Sequence, residues 1–177
     1  MDHKLVRRIT KNALLLAIMC VVGMISIPLG ANIKLSLQLL VVYIICLISE
    51  SVLDCIIITS LYLAIGLFIP IYAGFNAGIS PTFGYVISFV LISPIIFFLN
   101  KTPIKNQILR MSLACLSGLL ICYLVGTLFM IFYLELGVGK TLLISVVPYI
   151  PFDIFKIFLA VTTVILLPEN IKKSKIE

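Results

Sequence analysis

Charged residues are scarce in this chain of 177 residues: Asp, Glu, Lys and Arg together make up 11% of it, whereas 62% is hydrophobic. A soluble domain has about 25% charged and about 45–50% apolar residues. A globule of this size has too little interior to hide so much apolar surface from water, and a disordered chain is polar and rich in charge. The composition therefore excludes both classes and predicts an integral membrane protein.

Clustered metal ligands are also missing from the sequence. There is one histidine, His3, and the five cysteines lie singly in apolar stretches, with no Cys-x-x-Cys pair among them. Zinc sites need several such ligands close together. We therefore interpret the cysteines as small buried hydrophobic residues, and we expect neither a bound metal nor a disulfide.

The length of the chain limits its architecture. A spanning helix takes about 20 residues, so the chain holds about six or seven spans with short loops and has no room for an ATPase domain. Uphill transport would need energy from another chain or from an ion gradient. We predict an all-α fold, a single transmembrane domain of six helices over residues 1–177. Its predicted spans are 9–29, 37–50, 51–69, 81–99, 108–134 and 145–167.

The boundary between the second and third spans is the weakest of these. It depends on Ser49, Glu50, Ser51 and Asp54, four polar residues within six positions. Because such residues are costly inside hydrocarbon, we expect a polar turn there.

The distribution of basic residues tests the count of six. The net charge is +6, and ten of the thirteen basic residues lie in three clusters, at 4–11, 101–110 and 172–175. Six spans place all three clusters on one side of the membrane, which the positive-inside rule identifies as the cytoplasm. Five spans, with 37–69 counted as one, would place the 101–110 cluster outside. We therefore predict a multi-pass protein of the cell membrane with both termini cytoplasmic, in contact with the lipid bilayer and not with nucleic acid.

The strongest functional signal is a pair of opposite charges in the last span, Asp153 and Lys156. Residues three apart lie on one face of a helix, and each charge costs about 2.5–3.5 kcal/mol at the bilayer centre. Both are therefore predicted to face the bundle interior. Proline is favoured in the first turn of a helix, so a new helix is expected to begin near Pro151, with Asp153 close to its N-terminus. A plain salt bridge explains the pair as well, but buried ion pairs stabilise poorly by themselves, which favours a ligand site.

A second signal is the outer loop at 71–85. Gly74 lets the backbone approach a ligand closely, Asn76 offers both donors and an acceptor, and Phe75 and Tyr85 offer apolar faces. An ordinary turn-rich connector has the same composition, so the loop alone does not decide between the two interpretations.

Two weaker signals lie nearer the N-terminus. Gln38 begins an apolar span, where an amide needs a partner; a ligand contact and a helix cap are the alternatives. Ala13 and Ala17 lie four residues apart in the first span, and small residues at that spacing let membrane helices approach closely. Chance matches to this spacing are common.

With these residues in view, the sequence resembles the BioY family, the biotin-specific substrate-binding (S) components of energy-coupling factor (ECF) transporters. The resemblance covers nearly the whole chain. Its most specific block is 148–156, which has proline, aspartate and lysine at the family's relative positions, although Phe152 replaces the usual glycine before Asp153. The other matching positions are Pro28, 36–38, 62–66, 70–74, Gly78 and 81–85.

The resemblance implies a six-helix S component that captures its vitamin outside the cell and delivers it to a transmembrane coupling (T) protein and two ATPase subunits. It also implies that the small-residue face of the first helix meets the T protein, a role that falls to Ala13 and Ala17. The implied substrate-binding residues are Gln38, Asn76, Tyr85, Asp153 and Lys156, with Gly74 and Phe75 in the adjoining loop.

The ligand that the resemblance implies is biotin, bound with high affinity and transported unchanged, so neither an enzyme activity nor a cofactor is expected. Asp153 is an acceptor for a ureido N–H, and Asn76 serves as donor or acceptor. Lys156 contacts either the ureido carbonyl or the carboxylate. Phe75 and Tyr85 cover the apolar rings, as in pockets that combine apolar walls with a few placed polar groups.

Three other functions are compatible with parts of this pattern. An S component for another vitamin or small metabolite would have the same membrane composition and the same buried charges. Only the resemblance to biotin-specific proteins favours biotin over such a ligand. An intramembrane enzyme with Asp153 and Lys156 as an acid/base pair lacks an obvious nucleophile, a paired histidine and a metal cluster. A scaffold or assembly subunit is expected to bind no small molecule.

Overall fold

The fold is a bundle of helices with a small hairpin at one end. A computed structural model of the chain describes residues 3–28 and 34–168. Within them the elements are α1 (His3–Met24), β1 (Ser26–Pro28), β2 (Lys34–Ser36), α2 (Gln38–Ile48), α3 (Val52–Gly66), α4 (Phe83–Asn100), α5 (Gln107–Leu134), α6 (Val138–Ser145) and α7 (Ile150–Leu166).

The all-α prediction is confirmed, with one addition between the first two helices. α1 ends at Met24, and β1 follows it, pairing antiparallel with β2 so that Ile27 lies opposite Leu35. The β-branched Ile25 and Ile27 favour extended backbone, and Pro28 lacks the N–H that a continuing helix needs. The first helix therefore ends before the predicted limit of 29.

The expected polar turn between the second and third spans is present. α2 ends at Ile48 and α3 begins at Val52, after the N-cap residue Ser51. Ser51 Oγ accepts from the Leu53 N–H at 3.3 Å, and the Asp54 carboxylate accepts from the Ser51 N–H at 3.2 Å. This capping box starts a new helix, which explains why polar residues interrupt the apolar sequence here.

The predicted last span, 145–167, is two helices and not one. α6 ends at Ser145, α7 begins at Ile150, and their axes differ by 49°. Pro148 biases the residue before it away from helical backbone. Pro151, in contrast, lies in the first turn of α7, where a backbone N–H would have no partner within the helix, so proline is tolerated there. The new helix predicted near Pro151 is confirmed, and α6 is an addition to the prediction.

One end of the bundle is joined by the turn at 49–54, called here the Asp54 turn. Asp54 is buried, and its carboxylate accepts from Arg8 Nε at 3.0 Å and from Asn12 Nδ2 at 2.7 Å. Lys11 Nζ donates to the Ile48 carbonyl at 3.0 Å. These contacts attach the basic first half of α1 to the ends of α2 and α3.

The second basic cluster lies at the same end. Asn100, the last residue of α4, donates from Nδ2 to the Leu47 carbonyl at 3.3 Å, beside the end of α2. The segment 101–110 therefore lies on the same side as the Asp54 turn, as the predicted topology requires. The third basic cluster, 172–175, lies outside the described residues.

The outer surface of the bundle is apolar, which suits contact with lipid. Large hydrophobic side chains are exposed on helices throughout the described bundle, whereas soluble proteins rarely expose large contiguous apolar patches. Examples are Leu14, Leu53, Leu120, Phe132 and Phe158. The chain is a membrane protein.

Helix length does not by itself give the number of spans. In residues 3–28 and 34–168, α4 and α5 are long and apolar enough to cross a membrane, and α6 with α7 forms a third, bent candidate. α2 and α3 are apolar but have 11 and 15 residues. At 1.5 Å per residue they measure about 16 and 22 Å, against a hydrocarbon core of about 30 Å. The count of six spans therefore stays a prediction.

Two glycines let α4 and α5 approach closely. Gly84 on α4 lies against the Phe129 side chain, and Gly126 on α5 lies against the ring of Tyr85. A Cβ at either position would overlap its neighbour. Small residues serve the same purpose at other membrane helix interfaces. Here they allow close packing of α4 on α5, the two helices that are long and apolar enough to span a membrane without a break.

We expect Gly84→Ala to lower the melting temperature of the detergent-purified protein by several degrees. The new methyl group would overlap Phe129 Cβ, which cannot rotate away from the backbone, and overpacking costs about 1–3 kcal/mol. Gly139→Ala is the matched control, because nothing lies within 4 Å of a Cβ at that position. A thermal-shift assay that gives both variants the same melting temperature would contradict this packing.

Candidate functional site

A cavity lies at the end of the bundle opposite the Asp54 turn. Its volume of about 280 Å³ is just below the range of about 300–1,000 Å³ that is typical of small-molecule sites. Its wall combines residues from β2, α2, the loop before α4, and α4 to α7. The apolar part of the wall consists of Leu39, Ala73, Val86, Phe89, Met130 and Ile144.

Asp153 and Lys156 lie in the wall of this cavity, each with 5% of its surface exposed. Lys156 Nζ lies 2.6 Å from Asp153 Oδ1, and Tyr123 Oη donates to Asp153 Oδ2 at 2.6 Å. Asp153 is in the first turn of α7, where the helix N-terminus favours a negative charge. The prediction that both charges face the bundle interior is confirmed.

The ion pair retains hydrogen-bonding capacity. A carboxylate has about four acceptor positions and an ammonium group three donors. Among the hydrogen bonds of residues 3–28 and 34–168, each Asp153 oxygen accepts one and Lys156 donates one. Free acceptor and donor positions therefore stand side by side at the cavity, an arrangement that suits a molecule with an N–H next to a carbonyl.

Gln38 is buried in the cavity wall and has partners within the protein. Its Nε2 donates to Tyr62 Oη, and its Oε1 accepts from Ser36 Oγ at 3.1 Å. Tyr62 Oη in turn donates to the Ile71 carbonyl at 3.0 Å. The side chain of Gln38 does not cap α2, and its network instead joins the start of α2 to α3 and the outer loop.

Asn76 lies at the mouth of the cavity, exposed, in a tight hairpin with Tyr72. The backbone N–H of each residue donates to the carbonyl of the other, at 3.0 and 3.2 Å. Burial raises the pKa of Tyr72 to about 12, so its phenol stays protonated and donates to the Leu63 carbonyl at 2.7 Å. The hairpin that presents Asn76 is thus held on α3.

Gly74 and Phe75 form the tip of this hairpin and are not part of the cavity wall that the described residues form. Both have left-handed backbone, with φ of 75° and 58°, which glycine adopts easily and phenylalanine seldom. Phe75 is 71% exposed. The predicted contact of these two residues with a ligand stays a prediction, and the geometry of the turn does not favour it.

Tyr85 does line the cavity. Its ring packs against Gly126, and its Oη donates to the backbone carbonyl of Ser145 at 3.2 Å. Tyr85 therefore connects α4 both to α5 and to the end of α6, and it holds the wall of the cavity together.

Sequence reasoning missed Tyr123, which binds Asp153 directly. A signal was present, since the hydroxyl of a tyrosine in an apolar span usually finds a hydrogen-bond partner when it is buried. The other lining residues that were not predicted include Ser36, Tyr72, Thr82, Cys122, Ser145 and Tyr149.

The cysteines agree with their interpretation as buried hydrophobic residues. Cys46, Cys55, Cys115 and Cys122 are buried, Cys20 is half-buried, and all are free thiols. In the described part of the chain, no group of three or more His, Cys, Asp or Glu side chains has the arrangement of a metal site.

Ala13 and Ala17 lie on the exposed side of α1. The opposite side of the helix buries Leu15 and Met19 against the bundle. The two alanines are therefore accessible to another membrane protein and are not among the residues that line the cavity.

Sequence comparison relates the chain to known transporters. Residues 1–173 match the profile of the BioY family. The biotin transporter BioY of Thermotoga maritima is 27% identical over 176 residues, which cover 97% of this chain and 99% of the relative. The probable biotin transporter BioY of Pyrococcus horikoshii is 32% identical over 153 residues, covering 84% and 88%.

The fold is similar to that of a solved protein as well. The crystal structure of the S-component for biotin from an ECF-type ABC transporter matches 93% of this chain and 92% of its own, with a TM-score of 0.81 and 25% sequence identity. The resemblance seen in the sequence motifs is thus confirmed by a profile that covers nearly the whole chain and by the fold. The chain belongs to the BioY family.

Proposed function

We propose that the protein is the biotin-binding S component of an ECF-type ABC transporter. It captures extracellular biotin with high affinity and delivers it for ATP-driven uptake through partner subunits. The observation that carries the proposal is the buried Asp153–Lys156 pair beside a small-molecule cavity, in a chain of the BioY family. Two relatives named as biotin transporters and a biotin S-component of the same fold support it.

Biotin has the chemistry that this cavity suits. Its ureido group carries N–H donors next to a carbonyl, which complements the free acceptor of Asp153 and the free donors of Lys156. The apolar wall formed by residues such as Val86, Phe89 and Met130 suits the ring system and the aliphatic chain. In this orientation Lys156 contacts the ureido carbonyl, and the carboxylate lies elsewhere in the cavity. The vitamin undergoes no reaction, so the function is transport and not catalysis.

We expect Asp153→Asn and Lys156→Ala each to weaken biotin binding more than about tenfold, because the first replaces the charged carboxylate with a neutral amide that keeps one acceptor oxygen, and the second removes the ammonium donors. Isothermal titration calorimetry on the purified protein measures the affinity. A single removal also leaves one buried charge unpaired, at a cost of about 3–5 kcal/mol. The neutral double variant Asp153→Asn/Lys156→Met avoids that cost and should be folded but unable to bind.

Ile154→Ala is the control for these variants, because Ile154 is exposed on the same helix. Unchanged affinity in both single variants would show that the pair is a structural salt bridge. Mass spectrometry of the molecule that co-purifies with the protein tests the ligand itself. Another metabolite, with no competition from added biotin, would identify an S component for a different ligand.

The proposed partners are a T protein and two ATPase subunits, with α1 as the docking helix. Ala13 and Ala17 are exposed one turn apart on α1, and small residues allow a close approach of another helix. No part of this surface contributes to the cavity wall, so docking and ligand binding use separate residues.

Ala13→Leu/Ala17→Leu should leave biotin binding unchanged and reduce energised uptake by at least about tenfold, since the added side chains prevent close helix contact. Uptake of labelled biotin by cells that express the complete transporter, compared with binding by the purified protein, gives the two readouts. Ala64→Leu is the matched control, an exposed alanine on α3. Loss of biotin binding in the α1 variant would contradict the docking role.

The proposed topology has six spans, with both termini and the Asp54 turn in the cytoplasm. It is supported by the contacts that bring α1, the Asp54 turn and the 101–110 segment to one end, and by the positive-inside rule. The cavity then faces the outside, where biotin is captured.

Cysteine labelling in intact cells tests this orientation. Lys140 and Lys105 are both exposed and belong to opposite ends of the bundle. A membrane-impermeant maleimide should label Lys140→Cys in intact cells but label Lys105→Cys only after permeabilisation. The reverse pattern would invert the proposed topology.

A further inference from the structure

The connection between α3 and α4 is uncharged and exposes large apolar side chains. Residues 55–100 contain no Asp, Glu, Lys, Arg or His, so nothing in this connection favours water as strongly as a charge does. The connection after α5 differs, because it carries Glu135 and Lys140. Four hydrophobic residues of the uncharged connection are each more than half exposed and are called here the apolar rim: Phe68, Ile69, Phe75 and Ile79.

The apolar rim continues the lipid-facing side of α3. Leu53, Ile57 and Leu61 are exposed on α3 at intervals of four residues, and Phe68 follows Leu61 by seven, about two helical turns. The backbone keeps its helical course beyond the end of α3, since the Phe68 N–H donates to the Ile65 carbonyl at 3.1 Å. The surface that α3 presents to lipid therefore extends to Phe68.

The rest of the connection lies beside the last turn of α3 and not beyond it. Tyr72 Oη donates to the Leu63 carbonyl at 2.7 Å, and the Gly78 N–H donates to the Gly66 carbonyl at 2.9 Å. The Gly74 N–H donates to the carbonyl of the last residue of α1 at 3.1 Å. α3 measures about 22 Å against a hydrocarbon core of about 30 Å, so with α3 as a span this loop lies at membrane depth.

The backbone of this loop is paired, as an apolar environment requires. Tyr72 and Asn76 exchange two backbone hydrogen bonds, at 3.0 and 3.2 Å, and Asn76 Nδ2 donates to the Ala73 carbonyl at 2.7 Å. All three residues line the cavity. Irregular backbone is tolerated at membrane depth where it is packed on protein or lines a cavity, and the hairpin meets both conditions.

Phe75 at the tip of the hairpin has a conformation that needs compensation. Its φ is 58°, a left-handed value that a bulky residue seldom adopts. Such a conformation persists only where the surroundings favour it, and an aromatic ring exposed to water gains nothing. Transfer of the ring into the apolar part of a leaflet is favourable, which would explain why phenylalanine occupies this turn.

We infer that the apolar rim inserts into the lipid leaflet at the cavity end of the bundle and anchors the hairpin at the cavity mouth to the membrane surface. Its partner is the acyl region of phospholipids, continuous with the lipid around α3. Asn76 follows Phe75 and lies at the mouth, so the mouth is at the level of the lipid headgroups. The inference rests on the proposed topology, in which α3 is a span, and not on the identity of the ligand.

The test uses the absence of tryptophan from the chain, which makes one introduced tryptophan a unique probe. Phe75→Trp and Phe68→Trp are reconstituted separately into phosphatidylcholine vesicles. Lipid brominated on its acyl chains should reduce the fluorescence of each variant about twofold or more, as expected for a side chain inserted below the headgroups, whereas aqueous acrylamide should quench weakly.

Two reference variants calibrate these signals. Ile57→Trp, exposed in the middle of α3, should be quenched by the brominated lipid. Gly137→Trp should be quenched by acrylamide instead, because Gly137 is exposed in the charged connection after α5 and nothing lies within 4 Å of a Cβ there.

The outcomes separate this inference from the proposed topology. With Ile57→Trp quenched by lipid, quenching of Phe75→Trp by acrylamide alone would place the hairpin in water and overturn the inference. Protection of Phe75→Trp from both quenchers would show that protein covers the apolar rim, which also overturns it. Lipid quenching of Phe68→Trp without that of Phe75→Trp would limit insertion to the end of α3, again against an anchored hairpin. Failure of the lipid to quench Ile57→Trp would reject the proposed topology, and the inference with it.

Discussion

A pair of opposite charges inside a membrane protein must be enclosed by protein, and the Asp153–Lys156 pair imposes this requirement on the last helix. α7 exposes Phe155 and Phe158 to the surroundings, while its opposite side carries the ion pair. Hydrocarbon chains of lipid cannot pair with a charge. The rotation of α7 about its own axis is therefore fixed so that the ion pair faces Tyr123 on α5 and packs beside α2. The orientation of the helix and the presence of a polar cavity wall thus have one cause.

The cavity persists because the surrounding polar groups are already connected to the scaffold. Gln38 is held by Ser36 and Tyr62, and Tyr72 holds the outer hairpin on α3. Tyr85 links α4 to the end of α6. Each link joins two elements that meet at the cavity end of the bundle, so the wall is preorganised for a ligand. Preorganisation of this kind reduces the ordering cost of binding.

The parts of the structure that were predictable from sequence depend on local rules. Ser51 and Asp54 form a capping box whose two residues are three positions apart, and Asp153 and Lys156 share a helix face for the same reason. The start of α7 follows from Pro151. In each case the residues that decide the structure lie within one helical turn of one another.

The parts that were not predictable depend on distant partners or on backbone detail. Tyr123 meets Asp153 across 30 positions in sequence, and a span considered alone does not reveal its partner. β1 and β2 need each other to form, and α6 is a short helix beyond a proline break. Phe75 has left-handed backbone and is not part of the cavity wall that the described residues form, a placement that the aromatic character of its side chain does not reveal.

The attachment of α1 at the Asp54 turn has a mechanical consequence. Asp54 receives hydrogen bonds from Arg8 and Asn12 and from the start of its own helix, so α1 cannot shift along the bundle without taking α2 and α3 with it. α2 carries Gln38 and Leu39 at its other end, in the cavity wall. A displacement imposed on the first half of α1 would therefore act on α2, whose other end forms part of the cavity wall.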